Sequence, residues 1–226
     1  MTDTETAANR SSGERAEGAP EAPRLPEFDN PPDSPWELMR GWIQGAVQYG
    51  VADPFAAVLA TADANGRPST RVLHLAEPDS RGLVFGGDGE SRKGRDLAAR
   101  PYASATFFWF ETFQQLTVAG VVERLAPEES DRLFAKGGRN IELAVSAVSR
   151  QSEPLPDEAA FRAAAREVAE AAGDGTVRRA DRWTGWRLVP ETIEFWQGSP
   201  DRLHRRLRYE RGPSPRWNWT HQRLQP

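Results

Sequence analysis

From Ser34 to Gly50 the apolar residues Trp36, Met39, Trp42, Ile43, Ala46 and Val47 recur at helical spacing, which predicts an amphipathic helix with its tryptophans in a core. Pro35 suits the first helical position, Ser34 and Glu37 form a capping-box pair, and Gly50 is a stop signal. At Phe55 the apolar period shortens to two. "FAAVLATAD" and "STRVLHLAE" read as strands joined by an Asn-Gly turn in "ANGRP". "GLVFGG" is a third strand, and "SRKGRDLAARP" a loop leading into a short helix that Pro101 closes. "YASATFFWFE" and "QQLTVAGVVERLA" are two more strands; "PEESDRLFAKGG" and the alanine-rich "DEAAFRAAAREVAEAAG" are helices that end at glycine. "GWRLVPETIEFWQG", "RLRYER" and "WNWTHQRLQP" close the chain with strands. Strands therefore cluster without regular βαβ alternation. This predicts a mainly β, α+β fold: an antiparallel barrel with peripheral helices.

Residues 1–32 carry almost no large apolar side chain and are expected to form a disordered tail, with residues 33–226 as a single domain. The rest of the composition mostly excludes. There is no cysteine, and His74, His204 and His221 lie far apart, so no metal site is expected. No apolar run reaches membrane-spanning length and no secretion signal opens the chain, which points to a cytoplasmic protein with no membrane partner. Charge is uneven: residues 1–34 hold eight acids and three arginines, residues 176–226 eleven arginines and five acids. A basic end can serve nucleic acid. Arginine is abundant throughout, however, and the tryptophans fall at strand ends and core positions, so no nucleic-acid partner is expected. Lysine occurs only at Lys93 and Lys136, and a placed lysine tells more than another arginine.

Four stretches hold residues able to do chemistry. Arg71 lies in an alternating strand, where it either faces solvent or is put to use. Ser91, Arg92 and Lys93 stand where a loop enters a helix, as a surface basic pair or an anion site. Gln114 and Gln115 begin a strand, and either could bond a ligand. Ser149, Gln151 and Ser152 precede a helix. The densest stretch is "EFWQGSPDRLHRRLRYERG", Glu194 to Gly212, with Trp196, Arg202, His204 and Arg206.

In this order and spacing, and with the closing "RLQP", these pieces resemble the pyridoxamine 5′-phosphate oxidase-like family of FMN flavoproteins, from about Asp53 to Pro226. The resemblance implies a split β-barrel of the FMN-binding type and a homodimer, with FMN in a cleft between the subunits. It assigns Arg71, Ser91, Arg92 and Lys93 to the FMN phosphate, and lays Val72, Leu73 and His74 along the flavin. Gln115 reaches the ring, Gln151 and Ser152 join from another part of the cleft, and Trp196 and Arg206 complete it. Gly86 and Gly87 replace the family's tyrosine-threonine pair, so contacts there become backbone ones or are lost.

On the substrate side the resemblance implies Arg202 and His204. The lysine that holds a substrate phosphate in the vitamin B6 oxidases falls on Ala76, and its other phosphate ligands fall near Phe134, Gly138 and Glu142, with Arg139 as a possible stand-in. "FFWFETFQQL", "VSRQSE" and "RLHRRLRY" are similar to the flavin oxidases of phenazine biosynthesis. The implied reaction is dehydrogenation of a reduced phenazine carboxylic acid, or a similar aromatic tricyclic acid, by FMN and O2, giving H2O2. Arg202 pairs with the carboxylate, and His204 orients the substrate or accepts its N–H proton. The alternative is a pyridoxine/pyridoxamine 5′-phosphate oxidase. Arg205, Arg208 and Arg211 are expected to be solvated.

Overall fold

The computed structural model describes residues 25–76, 78–147, 151–173, 175, 177–213 and 218–226. Among these residues, eight strands form one antiparallel sheet: β1 (Ala56–Ala62), β2 (Pro68–His74), β3 (Leu83–Asp88), β4 (Tyr102–Trp109), β5 (Gln114–Arg124), β6 (Trp183–Gln197), β7 (Arg205–Arg211) and β8 (Trp219–Leu224). Their order is β2-β1-β4-β5-β6-β7-β8, and β3 pairs with β6. Five α-helices accompany them: α1 (Pro35–Tyr49), α2 (Arg92–Ala99), α3 (Pro127–Lys136), α4 (Arg139–Ala147) and α5 (Glu158–Ala172). The chain groups into two compact units, Phe55–Thr106 with Val118–Glu191, and the residues up to Pro54 with Phe107–Thr117 and Thr192–Pro226.

In the Phe55–Glu191 unit, the β1–β2 hairpin follows its turn chemistry. The Asp63 carboxylate accepts the amides of Asn65 and Arg67, both at 2.9 Å, and Gly66 takes φ +80°. The register sets Leu59 opposite Arg71 and Thr61 opposite Ser69. Between Trp183 and Leu188, β6 is buried on both faces, with Trp186 stacked on Phe85 and Trp183 edge-on to Phe134. Arg187, also buried there, meets both carboxylate oxygens of Asp79 at 2.8 Å. Burial alone would raise the Asp79 pKa, but the Arg81 and Gly82 amides and the Arg187 guanidinium outweigh it and hold the carboxyl below its usual range.

In the other unit, Met39, Trp42, Ile43 and Ala46 of α1 are buried, and Trp42 packs edge-on against Phe195 at 5.0 Å. Phe195 in turn meets Tyr209, whose hydroxyl donates to the Pro32 carbonyl at 2.8 Å.

Several expectations change. Residues 1–24 lie outside the described residues; within the remainder of the expected tail, Pro26–Phe28 is a 3-10 turn with Phe28 fully buried. Phe28 is the one large ring of that stretch, and it packs against Trp42 and beneath the Arg205 guanidinium at 4.7 Å. Arg205, expected to be solvated, also bridges Asp29 at 2.8 Å. Ser34 stands at the start of α1 but its side chain makes no capping bond, and Val47 is exposed. The helix α4 was not expected from the pattern. Gly137 closes α3 in the right-handed region, and it is Gly138 that takes φ +78°. No helix among the described residues is long and apolar enough to cross a membrane, and none of their side chains form a metal-binding cluster.

Candidate active site

Alternation places Arg71 on the same face of the hairpin as Leu59 and Thr61, beneath α2. It is therefore half-buried rather than solvated. Its guanidinium donates to the Leu59 carbonyl (3.0 Å), the Thr61 hydroxyl (2.8 Å) and the Ser69 hydroxyl (2.6 Å). Those two hydroxyls in turn donate to buried Asp96 of α2, at 2.7 and 2.9 Å, and Asp96 lies 3.9 Å from the Arg71 guanidinium. Desolvation lowers the pKa of Arg71, Asp96 opposes this, and repulsion from Arg92 adds to it.

Ser91 caps α2, accepting from the Gly94 amide and donating to the Asp88 carbonyl at 2.6 Å. Lys93, the second residue of the helix, folds back over Gly87, where any β-carbon would overlap its side chain. Its ammonium donates to Ser91 Oγ (3.0 Å) and Gln151 Oε1 (3.1 Å), both neutral acceptors. The Arg92 amide donates to Ser152 Oγ at 3.1 Å, and Ser152 holds φ +71°. Burial, then repulsion from Arg71, push the Lys93 pKa down to about 8 against the pull of Asp88. Asp88 is itself paired with Arg182 at 2.9 Å. Thus Arg92 disfavours the charged form of Arg71, Arg71 disfavours that of Lys93, and neutral groups hold the lysine. An anion would relieve that repulsion, and fork-shaped guanidinium donors beside a point-charge ammonium suit a phosphate.

Gly86 makes room for the Trp183 ring, so packing accounts for it. Along β2 the side chains alternate, with Val72 and His74 exposed on one face and Arg71 and Leu73 on the other. No single ligand can meet all four side chains. The backbone of this strand, last in the sheet order, is the part that can run along one. Ala76 is half-buried and its amide bonds the Val84 carbonyl at 2.8 Å. Phe134 belongs to the core, and the Arg139 guanidinium donates to the carbonyls of Gly173 and Gly175 beyond the C-terminus of α5. Ser149 lies outside the described residues.

In the other unit the chain leaves β6 through Gln197 and Gly198 and turns back at Ser199–His204 into β7. Arg202 holds φ +67°, with its amide on the Ser199 carbonyl at 3.0 Å. The Ser199 hydroxyl, followed by the Leu203 amide, keeps the Asp201 carboxyl below its usual pKa. The His204 ring lies 4.8 Å from Trp196, and its Nδ1 accepts the Ser199 amide at 3.1 Å. Arg206 is the cross-strand partner of Trp196, but its guanidinium is held by Glu194 at 2.8 Å and by the Gln225 carbonyl at 3.1 Å. Gln115 is half-buried and donates to Thr117 at 3.3 Å. The structure thus gathers Arg71, Ser91, Arg92, Lys93, Gln151 and Ser152 in one unit, and Trp196, Arg202, His204 and Arg206 in the other. Asp96, Thr61 and Ser69, which hold Arg71, were not singled out in the sequence. The hairpin register reveals Thr61 and Ser69, and the packing of α2 on the hairpin reveals Asp96.

Residues 43–172 match pyridoxamine 5′-phosphate oxidase, and residues 183–226 match the pyridoxine 5′-phosphate oxidase C-terminal dimerisation region. The chain belongs to the pyridoxamine 5′-phosphate oxidase family; it is an oxidoreductase with that family's split-barrel fold. Within the family it is similar to dihydrophenazinedicarboxylate synthase of Pseudomonas chlororaphis, 40% identical over 92% of this chain and 91% of that one. The pyridoxine/pyridoxamine 5′-phosphate oxidase of Burkholderia ambifaria is 41% identical over 89% and 93%. The crystal structure of PhzG from Burkholderia lata, in complex with tetrahydrophenazine-1-carboxylic acid, superposes with a TM-score of 0.84 at 39% identity, over 90% of this chain and 98% of that one. Near-equal identity to two differently named enzymes means that overall similarity does not choose the substrate. Individual residues must.

Proposed function

We propose that the protein is an FMN-dependent oxidase that dehydrogenates a reduced phenazine carboxylic acid, at the dihydro, tetrahydro or hexahydro level, and delivers the electrons to O2 as H2O2. One observation carries the choice of substrate. Where the resemblance puts a substrate phosphate, Ala76 offers a methyl group, Phe134 is core, and Arg139 is engaged by backbone carbonyls. A carboxylate nearby, Glu142, would repel a phosphate further. The phenazine carboxylate held by the Burkholderia lata relative supports the same substrate class. The C-terminal match supports a homodimer.

The chain's own groups suit this reaction. Arg71, Arg92 and Lys93 hold the FMN phosphate, Arg71 and Lys93 being already oriented by hydrogen bonds. When bound, FMN supplies the two-electron acceptor for the substrate's hydride and the means of reducing O2. Arg202 offers a carboxylate the bidentate fork that fixes a flat acid in one orientation. Oxidation makes the tricycle aromatic, so no strong acid or base is needed from the protein.

Arg202→Ala tests the substrate end. Losing a charge-assisted pair worth about 1.5–3 kcal/mol should raise KM for tetrahydrophenazine-1-carboxylic acid by about 10- to 100-fold in an oxygen-uptake assay, with flavin content unchanged. Simultaneous loss of flavin would move Arg202 to the cofactor, and an unchanged KM would remove it from the substrate.

A further inference from the structure

We infer that Phe113 is a positioning residue that, braced on Gly198, holds His204 as a fixed Nε2–H donor; the substrate-facing role of His204 rests on the function proposed above. Among the described residues, Phe113 is one of three non-glycine residues with positive φ, at +54°; the other two, Ser152 and Arg202, are both candidate site residues. Such conformations persist where surrounding contacts enforce them, and they gather at functional sites. The contacts are present here. The Phe113 amide donates to the Phe110 carbonyl at 3.2 Å, and its own carbonyl accepts the Gly198 amide at 2.9 Å. Buried Gln197 donates to the carbonyls of Thr112 (3.4 Å) and Gly198 (3.2 Å), clipping the β4–β5 loop to the end of β6. The Phe113 ring lies on Gly198, where any β-carbon would overlap it.

From that seat the ring stands edge-on to Trp196 at 5.4 Å and to His204 at 6.5 Å. The imidazole is thus bounded by two aromatic rings, while the Ser199 amide donates to its Nδ1 at 3.1 Å. A nitrogen that accepts an N–H bond carries no proton, so the ring hydrogen is on Nε2. Of the two roles the sequence left open for His204, this geometry favours orienting the substrate. An Nε2–H gives a hydrogen bond and cannot take a proton from a substrate N–H. Beside it Arg202 has donors only. The Asp201 carboxylate of the same turn is engaged by the Ser199 hydroxyl and the Leu203 amide, and the donors beside it suit a carboxylate oxygen.

The test uses the full-length protein labelled with 15N-histidine. The three histidines give three ring systems in a long-range 1H–15N correlation, and His204→Gln identifies one by its loss. The expected result is an unprotonated Nδ1 and a protonated Nε2 at His204. Phe113→Leu should convert it to a mixture of tautomers, as should Gly198→Ala, which displaces the ring from below. Both should lower kcat/KM for tetrahydrophenazine-1-carboxylic acid on the order of 10-fold to 100-fold, while Phe113→Tyr retains the parent tautomer and rate. A proton on Nδ1 in the parent protein overturns the assignment, as does an unaltered His204 in Phe113→Leu. If the tautomer responds as expected but the parent protein does not oxidise the phenazine acid, the positioning role stands and the substrate reading fails.

Discussion

Lys93→Met is expected to weaken FMN binding by about 1.5–3 kcal/mol, or about 10- to 100-fold, and Arg71→Ala by a similar amount. Quenching of flavin fluorescence on titration into flavin-free protein reads both. Lys93 also gives the binding a pH signature. In the flavin-free protein its pKa is about 8, because burial and Arg71 disfavour the ammonium. The FMN phosphate is a dianion above pH of about 6, so it restores the proton that Lys93 loses above 8. Affinity should therefore fall as pH rises through 8, with proton uptake on binding above that pH. The linkage to folding has the opposite slope. The unfolded chain keeps this proton up to about 10.5, so the flavin-free protein gains stability from Lys93 between pH 8 and 10.5. In Lys93→Met both slopes should flatten. Unchanged flavin affinity in both variants would remove these residues from the phosphate.

Asp96→Ala is expected to destabilise the flavin-free protein by about 3 kcal/mol, toward the lower end for a broken buried pair because Arg71 keeps some contact with solvent. For a chain of this length that is a fall in Tm of about 6–12 °C. The carboxylate is buried and accepts from Thr61 and Ser69, and its loss leaves two hydroxyls and the Arg71 guanidinium without their common acceptor. Asp96→Asn keeps one oxygen in place and should cost less than half as much. FMN affinity should fall in Asp96→Ala as well, because Arg71 loses its anchor. A thermal scan in which Asp96→Ala melts with the parent would show that the pair contributes nothing to stability.

The parts of this protein that could be read from sequence are those whose signals are local. The Asn-Gly turn and the change to a period of two fixed the β1–β2 hairpin. "SRKG" marked a helix start with two cations, and the spacing from "EFWQG" to "RLQP" placed the C-terminal strands. Local signals also misled. The low apolar content of residues 1–32 hid Phe28, a single ring whose burial depends on Trp42 and Arg205, far along the chain. Helix α4, Arg139–Ala147, has nine described residues, too few turns to show a period. In the site, the motif named Arg71 but not what holds it. Thr61 and Ser69 meet only through strand register, and Asp96 reaches them only once α2 is packed on the hairpin. Arg139 was a candidate phosphate ligand by position, yet its partners are backbone carbonyls beyond α5, which carry no side-chain signature. Phe113 reads as an ordinary apolar residue in "ETFQQL"; its backbone angle and its seat on Gly198 are what set it apart.

An FMN oxidase directed at a phenazine carboxylate can be told from one directed at a phosphorylated vitamin in one experiment. FMN-loaded protein is mixed without oxygen with tetrahydrophenazine-1-carboxylic acid or with pyridoxine 5′-phosphate, and the absorbance of the oxidised flavin is followed in a stopped-flow instrument. The expected result is rapid bleaching by the phenazine acid, recovery on admitting O2 with release of H2O2, and no bleaching by pyridoxine 5′-phosphate on that time scale. Rapid bleaching by pyridoxine 5′-phosphate with formation of pyridoxal 5′-phosphate, and none by the phenazine acid, would contradict it.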